Sequence, residues 1–175
     1  MRAGIILHAQ RVPSGIRRPL SFTVRCHVNS RARLLLKIFD QGFRTPDHRH
    51  TVPPPVVSLE DFFDGNTRPQ SIATNLPDHP GLGFFRDYLM RLRSREDVQD
   101  VLINVYDLSD IAFFPESGWP HAENVHILTS APETLVQSWA EHLRSDGAGE
   151  GWPYGKSPSA PEPKAGFIWW WLSWD

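Results

Sequence analysis

Cysteine is almost absent from this 175-residue chain: Cys26 stands alone. One thiol closes no disulfide within the chain, so no disulfide framework holds the fold, and a reducing cytosol suits it. No apolar run approaches the roughly 20 residues needed to span a bilayer. The first residues do not follow the order of a secretory signal, a basic start followed by an apolar stretch and a small-residue cleavage site. A cytoplasmic protein with no membrane partner is therefore expected. Catalytic signatures are lacking too. No G-x-S-x-G marks a nucleophile elbow. Gly155-Lys156-Ser157 resembles the end of a phosphate loop, but Glu150 stands where its first glycine belongs and Pro158 stops the helix that should follow. His79, His121, His126 and His142 show no metal-binding helical spacing, and the His48/His50 pair is too common a pattern to weigh. The expected catalytic, cofactor and metal sets are each empty.

What the chain does have is a charge split. Residues 1–50 hold ten Lys/Arg and two Asp/Glu, whereas residues 51–175 hold eight and eighteen. The net charge of −2 hides a basic arm and an acidic body, divided near Pro53-Pro54-Pro55. The body, 56–175, is long enough to bury a core. The arm, 1–52, shows a strand-like alternation at Leu20, Phe22, Val24, Cys26 and Val28, and an apolar group, Leu34, Leu35, Leu36, Ile38 and Phe39, that can be part of a helix. No capping or turn signal joins them. The arm is expected to be disordered or a spurious upstream extension, with a start at Val52, Val56 or Val57. A transit peptide and a nucleic-acid-binding arm are the other readings.

The body reads as alternating elements. Ser58-Leu59-Glu60-Asp61 is a capping signal for a short helix over 59–63, and Glu60, Asp61 and Asp64 are better explained as helix-end acids than as a catalytic pair. Ser71–Leu76 reads as a strand. Asp78 and Pro80 suit the start of a helix over 80–95, whose stripe is Leu82, Phe85, Leu89 and Leu92. Residues 100–108 and 124–129 alternate as strands, joined by a loop over 109–122. Ser130-Ala131-Pro132-Glu133 is a capping box for a helix buried through Leu135, Val136, Trp139, Ala140 and Leu143. Residues 145–166 are rich in Gly, Pro and Ser and read as loop; 166–174 reads as an aromatic strand. The expected class is α+β: a single antiparallel-dominated sheet with two helices in β-α-β-β-α-β order, ferredoxin-like or a related antiparallel arrangement.

All seven tryptophans fall in the last 57 residues. Alternation sends Trp169 and Trp171 to one face of the last strand, Trp170 and Trp174 to the other. One face packs under helices; the other needs a loop lid, a second copy or a partner. Loop residues Glu150, Trp152 and Tyr154 join an acid to aromatics, and 109–122 offers Asp110, Phe113, Phe114, Glu116 and Trp119, the composition of recognition loops.

The run Ser58-Leu59-Glu60-Asp61-Phe62-Phe63-Asp64-Gly65-Asn66, with Ser71-Ile72-Ala73, Asn75-Leu76, His79-Pro80-Gly81, Asp97–Val101, Leu128-Thr129-Ser130, Gly151-Trp152, Tyr154-Gly155 and the Trp-Asp end, resembles immunity proteins of bacterial contact-dependent growth-inhibition systems. The resemblance spans about Val56 to Asp175 and departs at the terminus, where Trp169-Trp170-Trp171-Leu172-Ser173-Trp174-Asp175 replaces a Val-Trp-Trp-Asp ending. It implies a non-enzymatic cytosolic protein that neutralises a cognate toxin domain. A basic toxin, such as a nuclease, suits the acidic body, because opposite potentials speed encounter. The contacts expected on charge and loop position are Asp107, Asp110, Glu116, Trp119, Glu150, Trp152 and Tyr154, with Asp61, Asp64 and Asn66 as a second patch. Nucleic acid is a disfavoured partner for an acidic body, and self-association stays open. The alternatives are a small hydrolase using His121 or His126, and a nucleic-acid binder acting through the basic arm.

Overall fold

The computed structural model describes residues 29–44 and 53–174. In chain order the elements are α1 (Ser30–Asp40), β1 (Val56–Ser58), α2 (Leu59–Phe63), α3 (Leu82–Arg93), β2 (Val98–Asp107), α4 (Ser109–Phe113), β3 (His121–Thr129), α5 (Glu133–Leu143), β4 (Gly147–Glu150) and β5 (Ile168–Ser173). The fold is α+β, with one five-stranded sheet in the order β1-β2-β3-β5-β4. Each neighbouring pair is antiparallel.

The apolar stripe of α3 is buried through Phe85, Leu89 and Leu92, and that of α5 through Val136, Trp139, Ala140 and Leu143. Both join the inward residues of the sheet, Val101, Ile103, Val105, Val125, Ile127, Trp170 and Leu172, in one core. Trp174 closes it, donating from Nε1 to the Leu143 carbonyl at 3.1 Å. The opposite sheet face carries a smaller cluster, Val56, Leu102, Leu128 and Trp169, roofed by Ala160, Trp152 and Phe167 of the 151–167 loop. Alternation along β5 thus sorts its tryptophans between the helices and a loop lid, as the sequence implied.

Several expected elements differ. Ser71–Leu76 is not a strand: Ile72 makes only an isolated parallel bridge to Ala122, and Ala73 turns into the left-handed region at φ 52°. Extended backbone cannot continue through that conformation. The sheet therefore lacks the first strand of a ferredoxin-like order, and five helices replace the two expected. The supposed loop 145–166 begins with β4, whose glycines are used for space: a Cβ on Gly149 would stand 2.9 Å from Cζ2 of Trp171. The indole lies over the strand because no side chain is there. Neither expected side-chain cap forms on the long helices: Gly81 rather than Asp78 is the N-cap of α3, and Pro132 that of α5. On α2 the cap forms as read, Ser58 Oγ accepting from Asp61 N–H at 3.2 Å.

The arm expected to be disordered is folded where it is described. Residues 29–44 form α1 and a turn, and Leu34, Ile38 and Phe43 are fully buried in the main core. Gln41 then behaves as a strand neighbour to β1, its amide donating to Val56 O (2.9 Å) and accepting from Val56 N–H (3.0 Å). Ser157 of the lid donates to the same amide oxygen at 3.0 Å. Apolar burial and the Gln41 side-chain hydrogen bonds both tie this piece to the acidic body. The alternating run Leu20–Val28, Cys26, His48 and His50 lie outside the described residues.

Candidate protein-binding surface

Two acids organise the connection between β2 and β3. Asp107 Oδ1 accepts from the backbone N–H (3.1 Å) and the hydroxyl (2.8 Å) of Ser109, starting α4. Asp110 Oδ2 accepts from Trp119 N–H at 2.9 Å and pairs with Arg68 Nε at 3.4 Å. The two limbs of the loop meet so closely that a Cβ on Gly118 would lie 2.2 Å from the Asp110 carbonyl oxygen. Trp119 plugs into the core and donates from Nε1 to Phe62 O at 3.0 Å. From α1, Arg31 Nε donates to Gly118 O at 2.6 Å.

A loop pinned at its base in this way projects its tip. Phe113 is 79% exposed and Phe114 52%, with exposed Glu116 beside them. Arg68 supports Phe114 from below, its guanidinium 4.8 Å from the ring centre. Asp107, Asp110 and Trp119 are therefore the scaffold of this loop, and its outward face is Phe113, Phe114 and Glu116.

The other candidates lie elsewhere. Glu150 is opposite Trp170, which is opposite Ile127, six residues along β3 from His121; that is about 20 Å of strand from the α4 loop. Glu150 and Tyr154 are exposed, whereas Trp152 lies flat on His126, ring centres 3.8 Å apart. Burial of His126 pushes its pKa down to about 3, so the imidazole is neutral, and Trp152 seals it from substrate. Asp61, Asp64 and Asn66 are turned to internal work. Asp61, 8% exposed, accepts from Lys37 Nζ at 2.5 Å and from Ser58 Oγ at 2.8 Å. Asp64 pairs with Arg33 at 3.0 Å. Asn66 donates to Ser71 Oγ at 2.8 Å and Phe62 O at 3.3 Å. The basic face of α1 occupies this second patch, an arrangement that treating the arm as separate concealed.

Under the α4 loop lies a cavity of about 420 Å³ lined by Arg68, Pro69, Gln70, His79, Gly81, Asp110 and His121. His79 has no nitrogen to spare: Nε2 meets Ile72 O at 2.8 Å and Nδ1 accepts from Gly81 N–H at 3.0 Å. His121 Nε2 stands 4.0 Å from Asp110, and its Nδ1 is 3.4 Å from Thr74 Oγ1. The Thr74 hydroxyl donates to Gln70 O at 2.8 Å, so at this contact His121 is the donor. Arg68 was missed in the sequence because nothing local to a Thr-Arg-Pro step indicates a partner 42 residues away. Among the described residues no three His, Cys, Asp or Glu side chains converge as a metal site, and no helix is long and apolar enough to cross a membrane.

A family model described as "Uncharacterized protein YfbO family" matches residues 30–172, a span that opens on the first residue of α1. The protein is also similar to "Uncharacterized protein YfbO" of Escherichia coli (strain K12), 35% identical over 102 residues, 57% of this chain and 68% of that one. No solved structure matches.

Proposed function

The chain belongs to the uncharacterized protein YfbO family, and we propose that it is a non-enzymatic binding protein whose α4 loop grips a basic protein partner. The observation that carries this reading is the exposed pair Phe113–Phe114 on a rigidly braced loop. Aromatic anchors on a body of net negative charge suit an interface with a positively charged protein. Across residues 29–44 and 53–174 there are twelve Lys/Arg against eighteen Asp/Glu, so the body stays acidic after α1 has docked. Together with the resemblance of residues 56–175, these features favour an immunity protein that neutralises a cognate toxin domain in the cytosol, a nuclease with a basic cleft being the best-matched toxin class.

A hydrolase reading draws on one observation, His121 beside Asp110 in a cavity. The hydrogen bonding opposes it. Thr74, the nearest hydroxyl, gives its proton to a backbone carbonyl, and Asp110 is engaged by Trp119 and Arg68. A nucleophile–base pair needs the opposite proton direction. The basic-arm reading also weakens for residues 29–44, where Arg33 and Lys37 are already paired with Asp61 and Asp64.

The test is co-expression with the products of the genes found adjacent to this protein's own. The reading expects a stable complex and rescue of growth. Neither complex nor protection, or turnover of a substrate by the purified protein alone, defeats it.

A further inference from the structure

We propose that the cavity beside Trp152 is a docking site for an arginine side chain of a basic protein. The occupant rests on the partner reading above, for which it supplies a second anchor; the site itself is built from the lid over the sheet, away from the α4 loop. The cavity, about 460 Å³, is lined by Glu150, Trp152, Glu162, Phe167, Ile168 and Trp169. What sets it apart is the arrangement of the rings. Trp152 lies flat on His126, ring centres 3.8 Å and planes 22° apart. Trp169 stands 4.9 Å from Trp152 and 6.4 Å from His126. These three distances are close to the sides of a right-angled triangle with its corner at Trp152. His126 therefore covers one face of the Trp152 indole, Trp169 abuts its edge, and neither ring covers the opposite face. Trp152 is half-buried, whereas Trp169 is 6% exposed, so the open indole face is that of Trp152.

An indole face attracts a cation through its quadrupole, and a guanidinium, planar and weakly hydrated, stacks on it readily. Among the described residues, arginine lies over Phe114, Tyr88 and Trp139, but no cation lies over Trp152. The ring behind Trp152 does not compete. Burial holds the His126 pKa at about 3, so a neutral imidazole leaves the π density of the indole to a ligand. The rim charges match a cation as well. Lys156 is the one base lining the cavity, and its Nζ is held by Glu162 at 2.7 Å. Glu150 is exposed, and its carboxylate has no such partner among the described residues. A carboxylate beside an indole face offers a guanidinium paired acceptors and a stacking surface together. Half-buried Phe167 and Ile168, the latter 43% exposed, provide apolar wall for the methylene stem.

The experiment titrates the full chain, ¹⁵N-labelled, with acetyl-arginine amide, with its neutral isostere acetyl-citrulline amide, and with sodium chloride at matched ionic strength. Saturable shifts of the Trp152 indole N–H and the Glu150 and Gly151 amides are expected with the arginine compound alone, with residues 110–118 unmoved. Trp152→Leu keeps an apolar cover on His126 but removes the indole face, and should weaken binding about fivefold or more. Glu150→Gln, at an exposed position, should weaken it about threefold with an unchanged melting curve. An equal response to the citrulline compound, no response beyond the chloride control, or full affinity retained in both variants overturns the proposal. In a complex captured by co-expression, Trp152→Leu should likewise lower affinity; a complex indifferent to it overturns the assigned occupant. The α4 loop plays no part in the small-molecule titration, so a negative result there counts against the Trp152 site alone, whereas failure of the Phe113–Phe114 reading would leave these shifts in place.

Discussion

Removing residues 1–44, so that the chain begins just before the acidic body, should cost most of its stability. Three side chains leave with that piece, Leu34, Ile38 and Phe43, each fully buried. Burying a large apolar side chain is worth about 1.5–3 kcal/mol, so their loss amounts to roughly 5–9 kcal/mol before the partners are considered. Leu59 and Phe62, buried in the same core, would then face water. Polar losses add to this. Val56 loses both hydrogen bonds to Gln41, and Asp61 loses Lys37. A domain of this size is stable by about 5–15 kcal/mol in all. The truncated chain should therefore be unfolded or melt at far lower urea than the full chain. A smaller perturbation, Leu34→Ala in the full chain, should cost about 2–5 kcal/mol. Urea unfolding followed by tryptophan fluorescence reads both, since Trp139, Trp170 and Trp174 lie in the affected core. A fragment beginning at residue 45 that unfolds cooperatively at the same midpoint as the full chain would refute the reasoning.

Other sites give sharper local tests. Gly149→Val should cost about 1–3 kcal/mol by driving Trp171 off β4, seen as a lower urea midpoint and a red-shifted tryptophan emission. Gly118→Ala should disorder the α4 loop, because its Cβ would collide with backbone rather than a movable side chain; faster amide exchange at residues 110–119, with the sheet still protected, is the expected result. His126, held neutral by burial with a pKa of about 3, binds its proton more readily once unfolded. Its share of stability is whole above the unfolded value near 6.5 and is lost as pH falls toward 3, by roughly 4 kcal/mol. The His126 ring resonances should not titrate above pH 5 in the folded protein, and His126→Phe should flatten the loss of stability between pH 6.5 and 4.

Local chemistry made part of this molecule legible in its sequence. The Leu82, Phe85, Leu89, Leu92 stripe, the alternation in β2 and β3, the Ser58 cap and the split tryptophan faces of β5 each depend on neighbours within a few residues, and each is present. What escaped depends on distant parts of the chain. β4 reads as part of a Gly-, Pro- and Ser-rich loop, yet its two glycines make room for Trp171 some 22 residues later. Ser71–Leu76 has strand composition, but the left-handed Ala73 and the burial of Ile72 override it. Helix α1 has an apolar stripe that pattern alone cannot dock; it is held by burial of Leu34 and Ile38 in the main core, with Arg33 and Lys37 meeting acids on α2 and at its end. The same long-range pairing redistributed the candidate contacts. Acids chosen for charge became caps and braces at Asp107, Asp110 and Asp61, whereas the exposed phenylalanines beside them carry the outward chemistry.

The proposed interface with a basic protein is anchored by Phe113 and Phe114. It is tested most directly by the dissociation constant of the complex with a basic protein partner captured by co-expression with adjacent genes, measured for the parent and for the Phe113→Ala/Phe114→Ala double variant. Two exposed side chains can be removed without disturbing the core, so stability should hold while affinity falls by roughly 100-fold or more, the cost of losing aromatic hot spots. Unchanged affinity in the double variant, with the complex intact, would contradict the account.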